Sequence, residues 1–130
     1  MKKICIVYSK YNEKFTTKLL DGAKKELKES NYKFEVVEVP GAFEIPSVIS
    51  KLVKKYSAFV ALGCIIKGET LNFELICNAI TNGIMEISIK EKKPIGNGIL
   101  TCFSEKQAYD RTNKGQEAAE AILKVLKNLP

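Results

Sequence analysis

Histidine is absent from all 130 residues. Its absence removes the side chain that most often titrates near neutrality. With it go the Ser-His-Asp and Cys-His devices and every zinc site that needs imidazole. Arginine occurs once, as Arg111, in a chain with 21 basic residues. Because a guanidinium is the better planar fork for phosphate, that single use marks position 111 as a functional candidate. No C-x-x-C pair joins the four cysteines, Cys5, Cys64, Cys77 and Cys102, which stand far apart in apolar surroundings. They read as buried, reduced, structural residues, and neither a metal centre nor a redox pair is expected. The apolar stretches, such as Phe59 to Ile66, fall well short of the roughly 18 to 20 residues that cross a bilayer. The run Ile4-Cys5-Ile6-Val7 after Met1-Lys2-Lys3 is too short for the apolar region of a signal peptide, so a cytoplasmic location without a membrane partner is expected. Neither G-x-G-x-x-G nor G-x-x-x-x-G-K-[ST] occurs, which excludes the Rossmann and P-loop modes of nucleotide binding.

What is present is an ordinary globular composition, 45% hydrophobic and 28% charged, over a length that suits one domain spanning residues 1–130. The net charge of +6 could point to a polyanion. The lysines, however, among them Lys24, Lys25, Lys28, Lys51, Lys54, Lys55, Lys92, Lys93, Lys124 and Lys127, are scattered among glutamates and helix-spaced apolar residues, with no interleaved aromatics. They read as solvated helix faces, and no nucleic-acid partner is expected.

Hydrophobic periodicity lays out the elements. Lys3 to Tyr8 reads as a buried strand feeding the polar loop Ser9 to Asn12, with Asn12 able to cap the next helix. Phe15, Leu19, Ala23 and Leu27, with Leu20 beside them, stripe a first helix that ends near Ser30-Asn31. Phe34 to Val39 is a second strand stopped by Pro40-Gly41. Ile45, Val48, Ile49, Leu52, Val53 and Tyr56 supply the buried face of a second helix with Pro46 in its first turn. Ala58 to Leu62 has the unbroken apolarity of a central strand, and Gly63 to Thr70 reads as a loop. Phe73, Ile76, Cys77, Ile80, Ile84 and Ile87 define a third helix with Thr70 as its cap. Pro94 to Leu100 is a fourth strand, a short helix from Ser104 precedes Asp110-Arg111, and Ala119, Ile122, Leu123 and Leu126 stripe the last helix. This alternation predicts an α/β, single-domain, doubly wound parallel sheet with helices on both faces.

Ligands in such sheets bind outside the carboxyl ends of the strands, which directs attention to Tyr8 to Asn12, Pro40 to Glu44, Gly63 to Thr70 and Thr101 onward. Lys67-Gly68-Glu69-Thr70 precedes a helix whose backbone donors could hold an anion, although a plain loop with a cap fits equally. Pro40-Gly41-Ala42-Phe43-Glu44 suits a flat ring bearing hydroxyls, or simply a packed turn.

Together these segments are far more specific. Val39 to Pro46 (VPGAFEIP), then Ala61 to Thr70 (ALGCIIKGET), Gly98-Ile99-Leu100-Thr101 and Asn113-Lys114-Gly115 resemble lumazine synthases over nearly the whole chain. The resemblance implies a flavodoxin-like fold, and condensation of 5-amino-6-ribitylaminouracil with 3,4-dihydroxy-2-butanone 4-phosphate to 6,7-dimethyl-8-ribityllumazine, with release of phosphate and water and no cofactor. It matches Tyr11 to an aromatic that stacks on the pyrimidine. Ala42, Phe43 and Glu44 match the loop holding the pyrimidine and ribityl chain, and Cys64, Ile65 and Ile66 match a strand end lining the same pocket. Glu69 and Thr70 match the phosphate-side turn, Arg111 the arginine that binds the departing phosphate, and Lys114 a neighbouring lysine. The family's proton-handling histidine falls at Asn72, and an aromatic from the neighbouring subunit falls at Asn97, where one branch of the family also carries Asn. The resemblance further implies a homo-oligomer, a pentamer or multiples of it, in which Asn97 and Arg111 complete the site of an adjacent chain. The replacement at Asn72 keeps a second expectation open, a non-catalytic relative that binds a lumazine or flavin or serves as a scaffold.

Overall fold

The computed structural model describes residues 2–70 and 72–128. Four strands, β1 (Lys3–Ser9), β2 (Lys33–Val39), β3 (Ala58–Ile66) and β4 (Ile95–Cys102), form one sheet. They alternate with α1 (Glu13–Lys28), α2 (Ile45–Leu52), α3 (Asn72–Glu91), the short α4 (Glu105–Asp110) and α5 (Lys114–Asn128). All pairings are parallel and the order is β2-β1-β3-β4. The chain steps outward from β1 to β2 and then crosses back over β1 to β3, so its winding reverses between β1 and β3.

Successive residues of a strand point to opposite faces, and the core divides accordingly. Ile4, Ile6, Val60 and Leu62 pack with Leu19 and Leu27 of α1 and Ile122 of α5. Cys5, Val7, Phe59 and Ala61 pack with Ile45 and Ile49 of α2 and Ile80 and Ile84 of α3. Helices thus cover both faces, which is why the central strands carry no polar alternation. No helix among the described residues is long and apolar enough to cross a membrane.

Three details differ from the sequence reading. β3 does not stop at Leu62 but runs to Ile66, because its ladder with β4 continues to Ile66↔Cys102. Gly63, which reads as a loop marker, lies within this strand at a close approach: a Cβ there would sit 3.1 Å from Ser9 Oγ and 3.2 Å from the Ala42 Cβ. α2 ends at Leu52, so Val53 and Tyr56 are buried from the turn beyond it rather than from the helix. Asn12 occupies the N-cap position of α1, but its side chain makes no capping bond. Thr70, by contrast, does reach α3, its Oγ1 accepting from Asn72 N–H at 3.4 Å.

At the amino ends of the strands, the Tyr56 hydroxyl and Lys3 both donate to the Glu35 carboxylate. The Tyr56 bond and then Lys3 hold Glu35 below its usual range, and the same bond with burial pushes Tyr56 up to about 12. A carboxylate with a depressed folded pKa stabilises above its unfolded value and loses that contribution as pH falls through the folded one. A phenol with a raised pKa stabilises below its unfolded value of 10.0 and loses that contribution as pH rises towards about 12. Tyr56→Phe is therefore expected to melt below the wild type at pH 7. The gap should narrow as pH drops below the ordinary carboxylate value of 4.5 and again above pH 10.0. A melting-temperature difference that stays constant across pH would contradict this pairing.

Candidate active site

The loops after β1 and β2, the end of β3, and residues of α3 and α4 meet at the carboxyl edge of the sheet, at the β1/β3 reversal. They enclose a cleft of about 360 Å³ lined by Tyr11, Asn12, Gly41, Ala42, Phe43, Cys64, Ile65, Ile66, Ile76 and Glu105. Every element supplying these residues is placed by the sheet. The Lys10 and Tyr11 amides donate to the carbonyls of Val39 and Pro40, at 2.8 and 2.9 Å, which zips the first loop to the second. A 3-10 turn over Ala42–Glu44 then carries the chain into α2, with Pro46 tolerated in the first turn.

β3 supplies the floor. Its ladder with β1 ends at Tyr8↔Leu62, four residues before its ladder with β4 ends at Ile66↔Cys102. Among the described residues, the backbone edge facing β1 is uncovered beyond Leu62, except that Asn12 Nδ2 donates to the Cys64 carbonyl at 2.7 Å. That carbonyl fixes the alternation and puts the N–H and C=O of Ile66 on the same open side. Tyr11 and Phe43, 72% and 60% exposed, stand with their rings free for a planar ligand. Burial pushes the Cys64 thiol up to about 12, with Cys102 and Glu105 adding to the rise, so it is no nucleophile at neutral pH.

The remaining candidate residues lie around this cleft at different removes. Glu44 is not in it: Oε1 accepts from the Gly41 N–H at 2.9 Å, and the side chain lines a neighbouring groove of about 400 Å³ with Phe43, Pro46, Ser47, Ala79 and Ile80. Phe43 separates the two spaces. The exposed turn Lys67 to Thr70 follows Ile66 directly, and Asn72 opens α3 one turn before the cleft residue Ile76, on the same helix face. Lys67 is held over the Phe103 ring, 5.3 Å from its centroid, and Phe103 leans on Phe73 at 5.9 Å.

Arg111 and Lys114 lie at the far end of α4, roughly 9 Å along that helix from Glu105 in the case of Arg111. Burial raises the Cys102 thiol, and both cations draw it back down, which locates them beside the carboxyl end of β4. Arg111 Nη1 donates to the Gln107 carbonyl at 3.1 Å. Asn97 is exposed on β4 opposite Ala61, roughly 16 Å along the strand from Cys102 at about 3.3 Å per residue. Arg111, Lys114 and Asn97 do not line the cleft of their own chain. Sequence reasoning passed over Asn12 as a binding-site residue, and also Gly41, Ile76 and Glu105. Ile76 is legible only as a core stripe, and nothing local to Ser104-Glu105 signals that α4 folds back beside Tyr11.

A sequence profile of the 6,7-dimethyl-8-ribityllumazine synthase family matches residues 1–129. The chain belongs to this family. Among similar lumazine synthases, the one from Corynebacterium kroppenstedtii is 38% identical over 134 aligned positions, covering 98% of this chain and 84% of the relative. The lumazine synthase of Cutibacterium acnes is 41% identical, with 95% and 80% covered, and that of Bartonella tribocorum 39% identical, with 92% and 85% covered. A crystal structure of a fragment described as a lipoprotein, from Peptoclostridium difficile 630, superposes with a TM-score of 0.57 at 16% identity, covering 96% of this chain and 99% of that one. At that identity the likeness is one of fold. Membership in the lumazine synthase family places the chain with transferases of riboflavin biosynthesis.

Proposed function

We propose that this chain is an active, cytoplasmic lumazine synthase that condenses 5-amino-6-ribitylaminouracil with 3,4-dihydroxy-2-butanone 4-phosphate to 6,7-dimethyl-8-ribityllumazine, releasing phosphate and water. The observation that carries the reading is the cleft at the β1/β3 reversal, where two exposed aromatics flank an unpaired strand edge in a chain of this family. Tyr11 stacks on the pyrimidine from one side, near Phe43. The open N–H and C=O of Ile66, beside Cys64 and Ile65, pair with the amide-like edge of the ring as an added strand would.

The second Glu44 oxygen, free of the Gly41 bond, accepts from ribityl hydroxyls in the adjoining groove. Backbone donors of the Glu69-Thr70 turn and the opening of α3 receive the phosphate. Asn97 and Arg111, which do not line their own cleft, reach the cleft of a neighbouring subunit in a closed pentameric ring, with Lys114 near them. Such a ring repeats one heterologous interface around its axis. Asn72 positions substrate by hydrogen bonding and moves no proton. Holding the two reactive substrates together supplies much of the acceleration, since imine formation, elimination and ring closure all profit from proximity.

The deciding measurement is the rate of lumazine formation with the uncatalysed background subtracted, with Asn72→His alongside. The wild type is expected to exceed background clearly, and Asn72→His to change the rate by less than the ~10²-fold that a general base in use contributes. Asn72 favours one other reading, the non-catalytic relative that binds a lumazine or flavin. That reading requires background rates in assembled wild-type protein and recovery in Asn72→His.

A further inference from the structure

We propose that Glu105 is the proton acceptor of this cleft, taking the part that the amide at position 72 cannot play; the assignment rests on the lumazine synthase reading. Of the side chains lining the cleft, Glu105 alone is a carboxylate. The other ionisable ones are the Tyr11 phenol and the Cys64 thiol.

The position of Glu105 is built rather than incidental. α4 opens at Ser104, whose Oγ accepts from Gln107 N–H at 3.2 Å, while Gln107 Oε1 accepts from Phe103 N–H at 2.7 Å. This reciprocal pair fixes the first turn of the helix, and Lys14 of α1 forms an ion pair with the Glu105 carboxylate, the two also lining a separate groove of about 340 Å³ with Lys18 and Tyr109. The titratable and charged groups facing Glu105 are Lys14 and Lys18 from α1, Cys64 from β3, Tyr11 from the first loop, and Lys106 and Tyr109 from its own helix. None of these is a second carboxylate.

The chemistry needs such an acceptor at the elimination of phosphate. After the pyrimidine amine has condensed with the ketone, the hydroxyl-bearing carbon lies between the imine carbon and the carbon carrying the phosphate. The imine acidifies its C–H bond. Glu105 takes that proton, the C–H electron pair becomes a double bond to the phosphate-bearing carbon, and the C–O bond breaks with its pair leaving on phosphate. The proton on Glu105 then passes to the departing phosphate and restores the carboxylate.

The test is the kcat–pH profile of lumazine formation by the assembled full chain, for wild type, Glu105→Gln and Glu105→Asp. Glu120→Gln on α5, remote and paired with Lys124, is the control. Glu105→Gln is expected to lower kcat about 10²-fold with KM little changed, and to lose the acid-side fall that a carboxylate base produces as it takes up a proton. Glu105→Asp keeps that fall and part of the rate, and Glu120→Gln matches wild type. An unchanged kcat in Glu105→Gln, or a lowered kcat that keeps the acid-side fall, overturns the assignment and leaves the lumazine synthase reading standing. Wild-type turnover at the uncatalysed background overturns both.

Discussion

Gly115→Ala is expected to cost about 3 kcal/mol or more of unfolding free energy, although alanine is the better helix former by about 1 kcal/mol. Gly115 lies in the first turn of α5, where that helix crosses α1. A Cβ there would fall 2.1 Å from the Leu19 carbonyl oxygen and 2.7 Å from its carbon. Both atoms are backbone, so no rotamer change relieves the contact. The helices must separate, and the burial of Leu19, Ala23, Ala119 and Ile122 between them weakens. Gly22 stands at the same crossing, where a Cβ would meet Gln116 N at 3.3 Å. Gly68→Ala is the matched comparison, since an added Cβ meets no atom of the described residues within 4 Å beyond its chain neighbours, and its stability should stay within about 0.5 kcal/mol of wild type. Urea unfolding of both variants checks the pair; a loss below about 1 kcal/mol for Gly115→Ala would show that the crossing yields freely.

Asn12→Asp is expected to damage both stability and the cleft. Asn12 sits in the left-handed region with φ 62°, a conformation Asn tolerates better than most side chains. Its amide donates at 2.7 Å to the Cys64 carbonyl, tying the first loop to the extended end of β3. A carboxylate keeps the shape but sets an acceptor against an acceptor in a half-buried place. The expected loss is about 3 kcal/mol, counting the lost bond and the cost of holding a carboxylate against the Cys64 carbonyl. Asn12→Gly keeps the backbone, removes the same donor and leaves that carbonyl open to water, so about 1 kcal/mol is expected. Because Tyr11 precedes Asn12 directly, Asn12→Asp should also raise KM for the pyrimidine substrate more than Asn12→Gly does. Equal effects of the two substitutions on stability and KM would mean that the amide does not organise the cleft.

Much of the architecture is legible in the chain because it rests on local periodicity. The stripe of Phe15, Leu19, Ala23 and Leu27 and the unbroken apolar run from Ala58 can each be buried in only one way, and their alternation leaves a parallel sheet covered on both faces. Boundaries are less legible where a residue serves a distant contact. Gly63 punctuates the sequence like a loop, yet its pairing with Ile99 keeps it in β3, where a Cβ would press on Ser9 Oγ and the Ala42 Cβ. Asn12 resembles a helix cap, yet its amide serves an orphan carbonyl 52 residues away.

For the site, the motif-bearing segments Ala42-Phe43 and Cys64 to Ile66 do meet beside Tyr11, as their positions at strand ends require. Pattern and motif are enough for the fold class, for the family, and for the absence of any imidazole to move protons. That Glu44 turns back to Gly41, that Arg111, Lys114 and Asn97 do not line the cleft, and that Glu105 does, depends on packing between distant parts of the chain. The physical reason is one of range. Periodicity and capping act over a few residues, whereas a cleft forms between segments far apart in the chain, such as Tyr11-Asn12 and Cys64 to Ile66, where side-chain direction follows from packing that no local pattern encodes.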